Sequence, residues 1–357
     1  MRLTEVVREA WRDLASGAAR AVTNAVVLAV LLGVCAGGWT LAVATDVRSA
    51  ADYVASGAAT LVQQAEGRID ASACAALSAS DGVVASGALR RVPVGAVPAA
   101  LAGSSLPTYE VSAGFLDVLS TRGRSGVVGV VPSRQLADEL GVDPGDRIPL
   151  LGGPAVPVAA VYEYPDDGRD PDLEYALLAP TAAGGPFDAC WATVWPERED
   201  AVQLLRRTVL PTSGAEDEAR PTVEQLNPRA GTAFVPTNRS PPWVPVGAAG
   251  LAGASVGIVA VLRRRLSLAS DLHVGVPRRA QVLGVVLAHL VWASVAAVGA
   301  LGIAVLPVRG LSDADAVPIV VRALVIVVAG VVGALLGGAV TASGIRERSL
   351  HRYFRAR

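Results

Sequence analysis

The sequence predicts an α-helical membrane protein with four transmembrane helices and one large mixed α/β domain inserted between the first and second helices. Three observations lead there. First, no formal charge occurs between Arg20 and Asp46, between Arg239 and Arg263, or between Arg279 and Arg309, and only Arg322 interrupts the stretch from Asp315 to Arg346. Each stretch is longer than the roughly 20 helical residues needed to cross a hydrocarbon core about 30 Å thick. Second, the chain is 52% hydrophobic with a mean hydropathy of +0.45, too apolar for an ordinary soluble domain. Third, residues 47–243 are polar and punctuated by Gly and Pro, so a water-exposed domain stands between the first span and the other three.

Residues 1–20 read as an amphipathic helix. Leu3, Val7, Trp11 and Leu14 recur at helical spacing, with Glu5, Arg8, Glu9, Arg12 and Asp13 on the other faces, a pattern suited to lying flat on a membrane surface. Residues 21–46 form the first span. Ala42-Val43-Ala44 could be a signal-peptide cleavage site, but the charged segment before the apolar run and the run itself are both long for a signal peptide. The segment from Asp46 through Tyr53 to Leu61, Val62 and Glu66 reads as a helical stalk continuing that span. From Ile69 to Leu210, β-branched runs (Gly126 to Val131, Pro157 to Val161, Ala192 to Trp195) alternate with helices (Ser133 to Leu140, Glu199 to Val209), which is mixed α/β patterning. Residues 211–243 carry six prolines and read as an irregular return to the membrane. Residues 244–344 hold the last three spans, with a basic segment at 263–281, and 345–357 form a basic tail.

Arginines crowd the segments before Ala21, from Arg263 to Gln281, and after Gly344. By the positive-inside rule these face the cytoplasm, so 47–243 lies outside and the protein is a multi-pass protein of the cell membrane. Beside membrane spans the arginine clusters are topological signals, and no nucleic-acid partner is expected. The spacings Gly33 to Gly37, Gly253 to Gly257 and Gly333 to Gly337 allow close helix approach, within the chain or in a dimer.

The sequence contains no lysine, so all 31 basic residues are arginine. A phosphate-binding loop needs its GK[ST] lysine to reach the nucleotide phosphates, so this chain cannot hydrolyse ATP by that route on its own. No GxSxG, HExxH or CxxC motif is present, and no enzyme activity is expected. His273, His289 and His351 lack partners at metal-ligand spacing, so neither metal nor cofactor is expected in this chain. His289 reads as a neutral histidine packed between helices, and Arg322 as a side chain snorkelling to the interface. The acidic run from Tyr162 to Glu174 lacks the ordered calcium-loop pattern and reads as a solvated loop. Cys35 falls inside the first span. Cys74 and Cys190 fall in the external domain, where one disulfide is expected; two buried free thiols are the alternative.

Three segments carry a family resemblance. The run Val131-Pro-Ser-Arg-Gln-Leu-Ala-Asp-Glu-Leu-Gly-Val-Asp-Pro-Gly-Asp-Arg-Ile148, followed by Pro157-Val-Ala-Ala-Val161, resembles the helix, turn and strand of the external domain in MacB/FtsX-type (type VII) ABC transporter permeases. Val111 to Leu119 resembles the segment before it. Ser133 can cap the helix, Gly141 can end it, and Asp143-Pro-Gly-Asp146 is turn chemistry. After the second span, Arg264, Arg265, Gly275, Arg278 and Arg279 match the family's basic segment, while Ser267 and Leu272 stand where it usually has glutamate and often arginine. The order of surface helix, span, large domain and three spans is also the family's.

The resemblance implies a MacB-like external domain and a permease subunit that binds a separate ABC ATPase, which would hold the ATP and magnesium. It also implies a dimer, either a homodimer or a heterodimer with a second FtsX-like permease; the departures at Ser267 and Leu272 would fit a heterodimer. ATP hydrolysis would move the external domain, for extrusion of a peptide or hydrophobic compound. The alternative is a transmembrane mechanotransmitter that regulates an external cell-wall hydrolase. The ATPase-coupling residues would be Arg264, Arg265, Gly275, Arg278 and Arg279, with Leu268 and Leu272 as apolar contacts.

Overall fold

The structure, a computed structural model, describes residues 8, 12, 20–119, 122–123, 128–182, 184–211 and 220–346. Most of the expected surface helix over 1–20 and of the tail over 345–357 lies outside the described residues. Along the chain, helix α1 (Ala21–Ala55) is followed by strand β1 (Thr60–Ile69), α2 (Ala71–Ala76), β2 (Val83–Arg91), β3 (Thr108–Val111), α3 (Phe115–Val118), β4 (Arg122–Gly123) and β5 (Val131–Pro132). Next come α4 (Arg134–Leu140), β6 (Arg147–Ile148), β7 (Val156–Pro157), β8 (Ala160–Val161), β9 (Leu177–Pro180), β10 (Phe187–Val194), α5 (Ala201–Arg206) and β11 (Thr222–Gln225). Helices α6 (Trp243–Arg263), α7 (Arg265–His273), α8 (Arg278–Val305) and α9 (Asp313–Gly344) complete the order. The chain divides into two compact units, one from residues up to 48 and from 236 onward, the other from 49–235.

Helices α1, α6, α8 and α9 are long and apolar enough to cross a membrane. Their packing inverts that of a water-soluble bundle. The buried positions of α8 include Ala288, Ala293, Ala296, Ala300 and Ala304, whereas Val295, Val298 and Ile303 are exposed. On α1, Val22, Val26, Val30, Val34 and Leu41 likewise point outward. In an apolar solvent large side chains gain nothing by burial, and small residues let helices approach closely.

The glycine pairs have partners inside this chain. Cβ atoms placed on Gly253 and Gly257 of α6 would run into the Gly330 and Ala334 carbonyl oxygens of α9. Those on Gly333 and Gly337 would meet the Gly250 and Ala254 carbonyls in return. Two helices thus touch backbone to backbone, and the Ile303 side chain lies over Gly33 and Gly37. Where the apolar part of α1 ends, Asp46 accepts from the Thr237 and Asn238 amides at 2.8 and 3.0 Å. Arg48 donates to the Pro307 and Arg309 carbonyls at 2.6 and 3.3 Å. The first charged turn of α1 beyond its apolar stretch therefore holds the segment entering α6 and the loop leaving α8.

The 49–235 unit is built on a seven-stranded sheet in the order β11-β1-β10-β2-β3-β9-β5. The expected helical stalk over 46–66 is corrected here. The helix stops at Ala55, Gly57 takes a left-handed φ of +79°, and Thr60–Ile69 pairs as a strand with β10 and β11. A residue without Cβ is needed for that turn. Thr222–Gln225, inside the expected irregular return, is likewise an edge strand. Pairing with partners more than 110 positions away fixed both strands, and local sequence does not report that. The expected strand over 157–161 is divided into β7 and β8, and that over 126–131 begins only at Val131 among the described residues.

One sheet face is covered by α2 and α5 around Ile69, Phe187, Ala192 and Leu205. The other packs Trp191, Leu89 and Tyr109 on Phe115, Tyr162, Leu173 and Leu178. The helix-turn-strand around α4 follows the local reading. Ser133 Oγ accepts from the Leu136 amide at 3.3 Å, Gly141 ends the helix at φ 64°, ψ 39°, and Asp146 Oδ2 accepts from the Asp143 amide at 2.9 Å.

Candidate functional site

Two places gather chemistry, one in each unit. The first is the short element between α6 and α8. After Arg263 the chain bends at Arg264 and re-forms as α7, whose inner side buries Leu268 and Ala269 against Val261, Val285, Ala342 and Ile345. Gln281, buried near the start of α8, donates to the Leu268 carbonyl at 2.6 Å. The turn closes through the Val276 amide on the Asp271 carbonyl at 3.0 Å, with Gly275 at φ +93° and Pro277 leading into α8. Packing and hydrogen bonds thus tie α7 to both α6 and α8.

The residues expected to couple to an ATPase separate by exposure. Gly275, Arg278 and Arg279 are exposed, while Arg264 and Arg265 are half-buried. Leu268 is 5% exposed and faces the helices, and Leu272 is half-buried against the same cluster. Their expected use as apolar contacts is corrected for Leu268: its side chain is spent on internal packing. Ser267, Ser270, His273 and Val274 form the outward side, and Val274 is 82% exposed at the tip. Val274 is not among the residues expected from the sequence, where the charged positions dominate the segment; its signal there is an apolar residue inside a Gly-Pro turn, which leaves it exposed.

His289 is buried on α8, its Nδ1 2.8 Å from the Val285 carbonyl oxygen and its ring 5.0 Å from Trp292. It packs against Gly338, as an interhelical histidine should. Arg322 is exposed.

The second place is a cleft of about 300 Å³ on the sheet of the 49–235 unit. Val62, Leu89, Trp191 and Leu226 supply apolar lining, and Tyr109 and Tyr164 add aromatic faces. Around them stand Glu66 from β1, Asp188 from β10, Glu224 from β11 and the pair Asp170 and Asp172, with Arg91 as the one cation among the described lining residues. Asp188 is fixed by the Gly67 and Arg91 amides at 2.9 and 2.8 Å.

The acidic run is therefore not simply a solvated loop. Tyr162 and Tyr164 are buried, donating to the Leu173 and Asp170 carbonyls at 2.7 and 2.6 Å, and these bonds set Asp170 and Asp172 at the cleft. Burial raises the Tyr164 hydroxyl above its ordinary value, with Arg169, 5.3 Å from its ring, acting against the shift. Four chain segments meet here, and only their pairing brings the carboxylates together. Among the described residues, no group of three His, Cys, Asp or Glu is arranged to hold a metal ion.

Cys74 and Cys190 form the expected disulfide, with Cα atoms 5.9 Å apart, and pin α2 to β10. Cys35 is a free thiol, half-buried within α1.

No protein-family model matches the chain, and no curated protein matches it by sequence. Among solved structures, the crystal structure of the periplasmic region of MacB from Actinobacillus actinomycetemcomitans is similar over 44% of this chain and 84% of that one. The identity is 13% and the TM-score 0.32. A likeness this slight carries no argument about function, which rests on the residues themselves.

Proposed function

We propose that this chain is the membrane-spanning permease subunit of an ABC transporter of the MacB/FtsX type, working with a separate ATPase. The observation that supports this most directly is α7. It is a short helix locked to α6 and α8 by apolar packing and by the Gln281 bond, with a solvent-facing side and an exposed Val274 at its tip. Such an element converts pressure from a partner into movement of two spans. Because the chain has no lysine for a phosphate-binding loop, the ATP and its magnesium belong to the partner. Two permease chains, identical or related, would sit over two ATPase subunits. The 49–235 unit would lie outside the cell and both termini inside, following the arginine distribution. The work done would be expulsion of a peptide or hydrophobic compound.

Orientation is tested by thiol labelling in a Cys35→Ala background, where Cys74 and Cys190 remain bonded. In intact cells a membrane-impermeant maleimide is expected to label Asp166→Cys and to spare Ser270→Cys until the membrane is opened. The opposite pattern would overturn the assignment.

Partnership is tested by purifying the tagged full chain from its native membranes. A polypeptide with ATPase activity is expected to co-purify. Val274→Asp should reduce its recovery about tenfold or more, because a charge replaces an apolar anchor at a desolvated contact. It should leave thermal stability unchanged, since Val274 supports no internal packing. Recovery of no ATPase with the wild-type chain would defeat the proposal. Full recovery with Val274→Asp would move the docking surface elsewhere.

A further inference from the structure

We propose that the cleft on the sheet of the 49–235 unit binds an organic cation: a primary or secondary ammonium carried on an apolar body of drug-like size. Charge is the first reason. Glu66, Asp170, Asp172, Asp188 and Glu224 border the cleft, and among the described lining residues only Arg91 opposes them. A site with that balance repels anions and concentrates cations. Shape is the second. The carboxylates come from different sides and do not converge as a set of metal ligands, so a bare ion would find no coordination shell there. Between them lies apolar lining from Val62, Leu89, Trp191 and Leu226, which a hydrated ion cannot use and an apolar body can. A volume of about 300 Å³ is at the lower end of small-molecule sites.

Tyr109 is the third and independent reason. Its side chain is only 5% exposed, and its hydroxyl makes no hydrogen bond with any described residue. That hydroxyl is not enclosed by protein: it opens to the cleft that Tyr109 lines, beside Asp170 and Asp172, where a ligand can reach it. Burial raises its pKa, with the Asp172 and Asp170 carboxylates adding to the shift and Arg91 opposing it. An ammonium N–H would donate to Tyr109 Oη and to a neighbouring carboxylate, while the Trp191 ring and Leu226 cover the attached apolar group. A quaternary ammonium, having no N–H, would lose the Tyr109 bond.

The test uses the full chain in nanodiscs of zwitterionic lipid, with empty nanodiscs subtracted and no nucleotide or ATPase present. Its outcome therefore stands apart from the permease reading. The probes are 2-(1-naphthyl)ethylamine, its N,N,N-trimethyl derivative, 1-naphthylacetate and 1-ethylnaphthalene, followed by calorimetry or ligand-detected NMR. The amine is expected to bind at least about tenfold more tightly than any of the other three, the difference made by one charge-assisted hydrogen bond. Tyr109→Phe should remove most of that preference. It takes away a hydroxyl with no protein partner, so the fold should survive, and an unchanged near-ultraviolet circular dichroism spectrum would establish that. Asp170→Asn with Asp172→Asn should weaken the amine further and leave ethylnaphthalene unaffected. Equal binding of the four probes, no amine binding at millimolar concentration, or an amine preference untouched by these variants would each overturn the proposal.

Discussion

Gly257→Leu is expected to separate α6 from α9 and to cost about 3 kcal/mol, the upper end of the usual overpacking range. The obstacle is backbone. A Cβ at Gly257 would strike the Ala334 carbonyl oxygen and lie 3.0 Å from the Gly338 nitrogen, so no rotamer change can relieve it. The helices must move apart, and the matching approaches at Gly253, Gly333 and Gly337 would be lost with them. His289 would be disturbed as well, since its Nε2 lies 3.4 Å from the Gly257 carbonyl oxygen and its ring sits over Gly338. Thermal unfolding of the detergent-purified protein should register the change. Gly302→Leu on α8 is the control, because nothing lies within 4 Å of its Cβ position. There the leucine should be neutral or slightly favourable through helix propensity. Equal stability of the two variants would mean that α6 and α9 do not pack in this way.

The second large effect is expected from the double variant Cys74→Ala, Cys190→Ala. The bond closes a segment of 116 residues, for which the chain-entropy argument gives about 4–5 kcal/mol, against a typical contribution of about 2–4. Both cysteines are fully buried between α2, β10 and their neighbours, so the loss would fall on the 49–235 unit. Limited proteolysis of the full chain should then cut within 49–235 at a protease concentration that leaves the wild type intact, while fragments containing α6, α8 and α9 persist. Intact mass after alkylation without reductant provides the companion check: the wild-type protein should carry one alkyl group, on Cys35. Three alkyl groups would show that the bond is absent in the protein as isolated, and unaltered proteolysis of the double variant would show that it contributes little.

The features legible in the sequence are those set by neighbours along the chain. Four long helices follow from charge-free length, which is a one-dimensional property. The α4 motif follows from Ser133, Gly141 and the Asp143 to Asp146 turn, whose hydrogen bonds close within a few residues. Pairing Cys74 with Cys190 needed only a count of thiols outside the spans. The stalk failed as a reading because Leu61, Val62 and Glu66 fit a helix as well as a strand. Only the ladders to β10 and β11 decide between them.

By itself, then, the sequence determined the number and place of the apolar helices, the polar unit between the first two, and the exclusion of a lysine-based nucleotide loop. The tertiary structure decided which face each element presents. It turned Leu268 inward and left Val274 outside, matched the glycines of α6 to those of α9, and brought Glu66, Asp188, Glu224, Asp170 and Asp172 around one cleft. The physical reason is range. Charge-free length, capping and turn chemistry act over a few residues, whereas strand pairing, helix contact and a shared electrostatic potential depend on residues that meet only after the chain has folded.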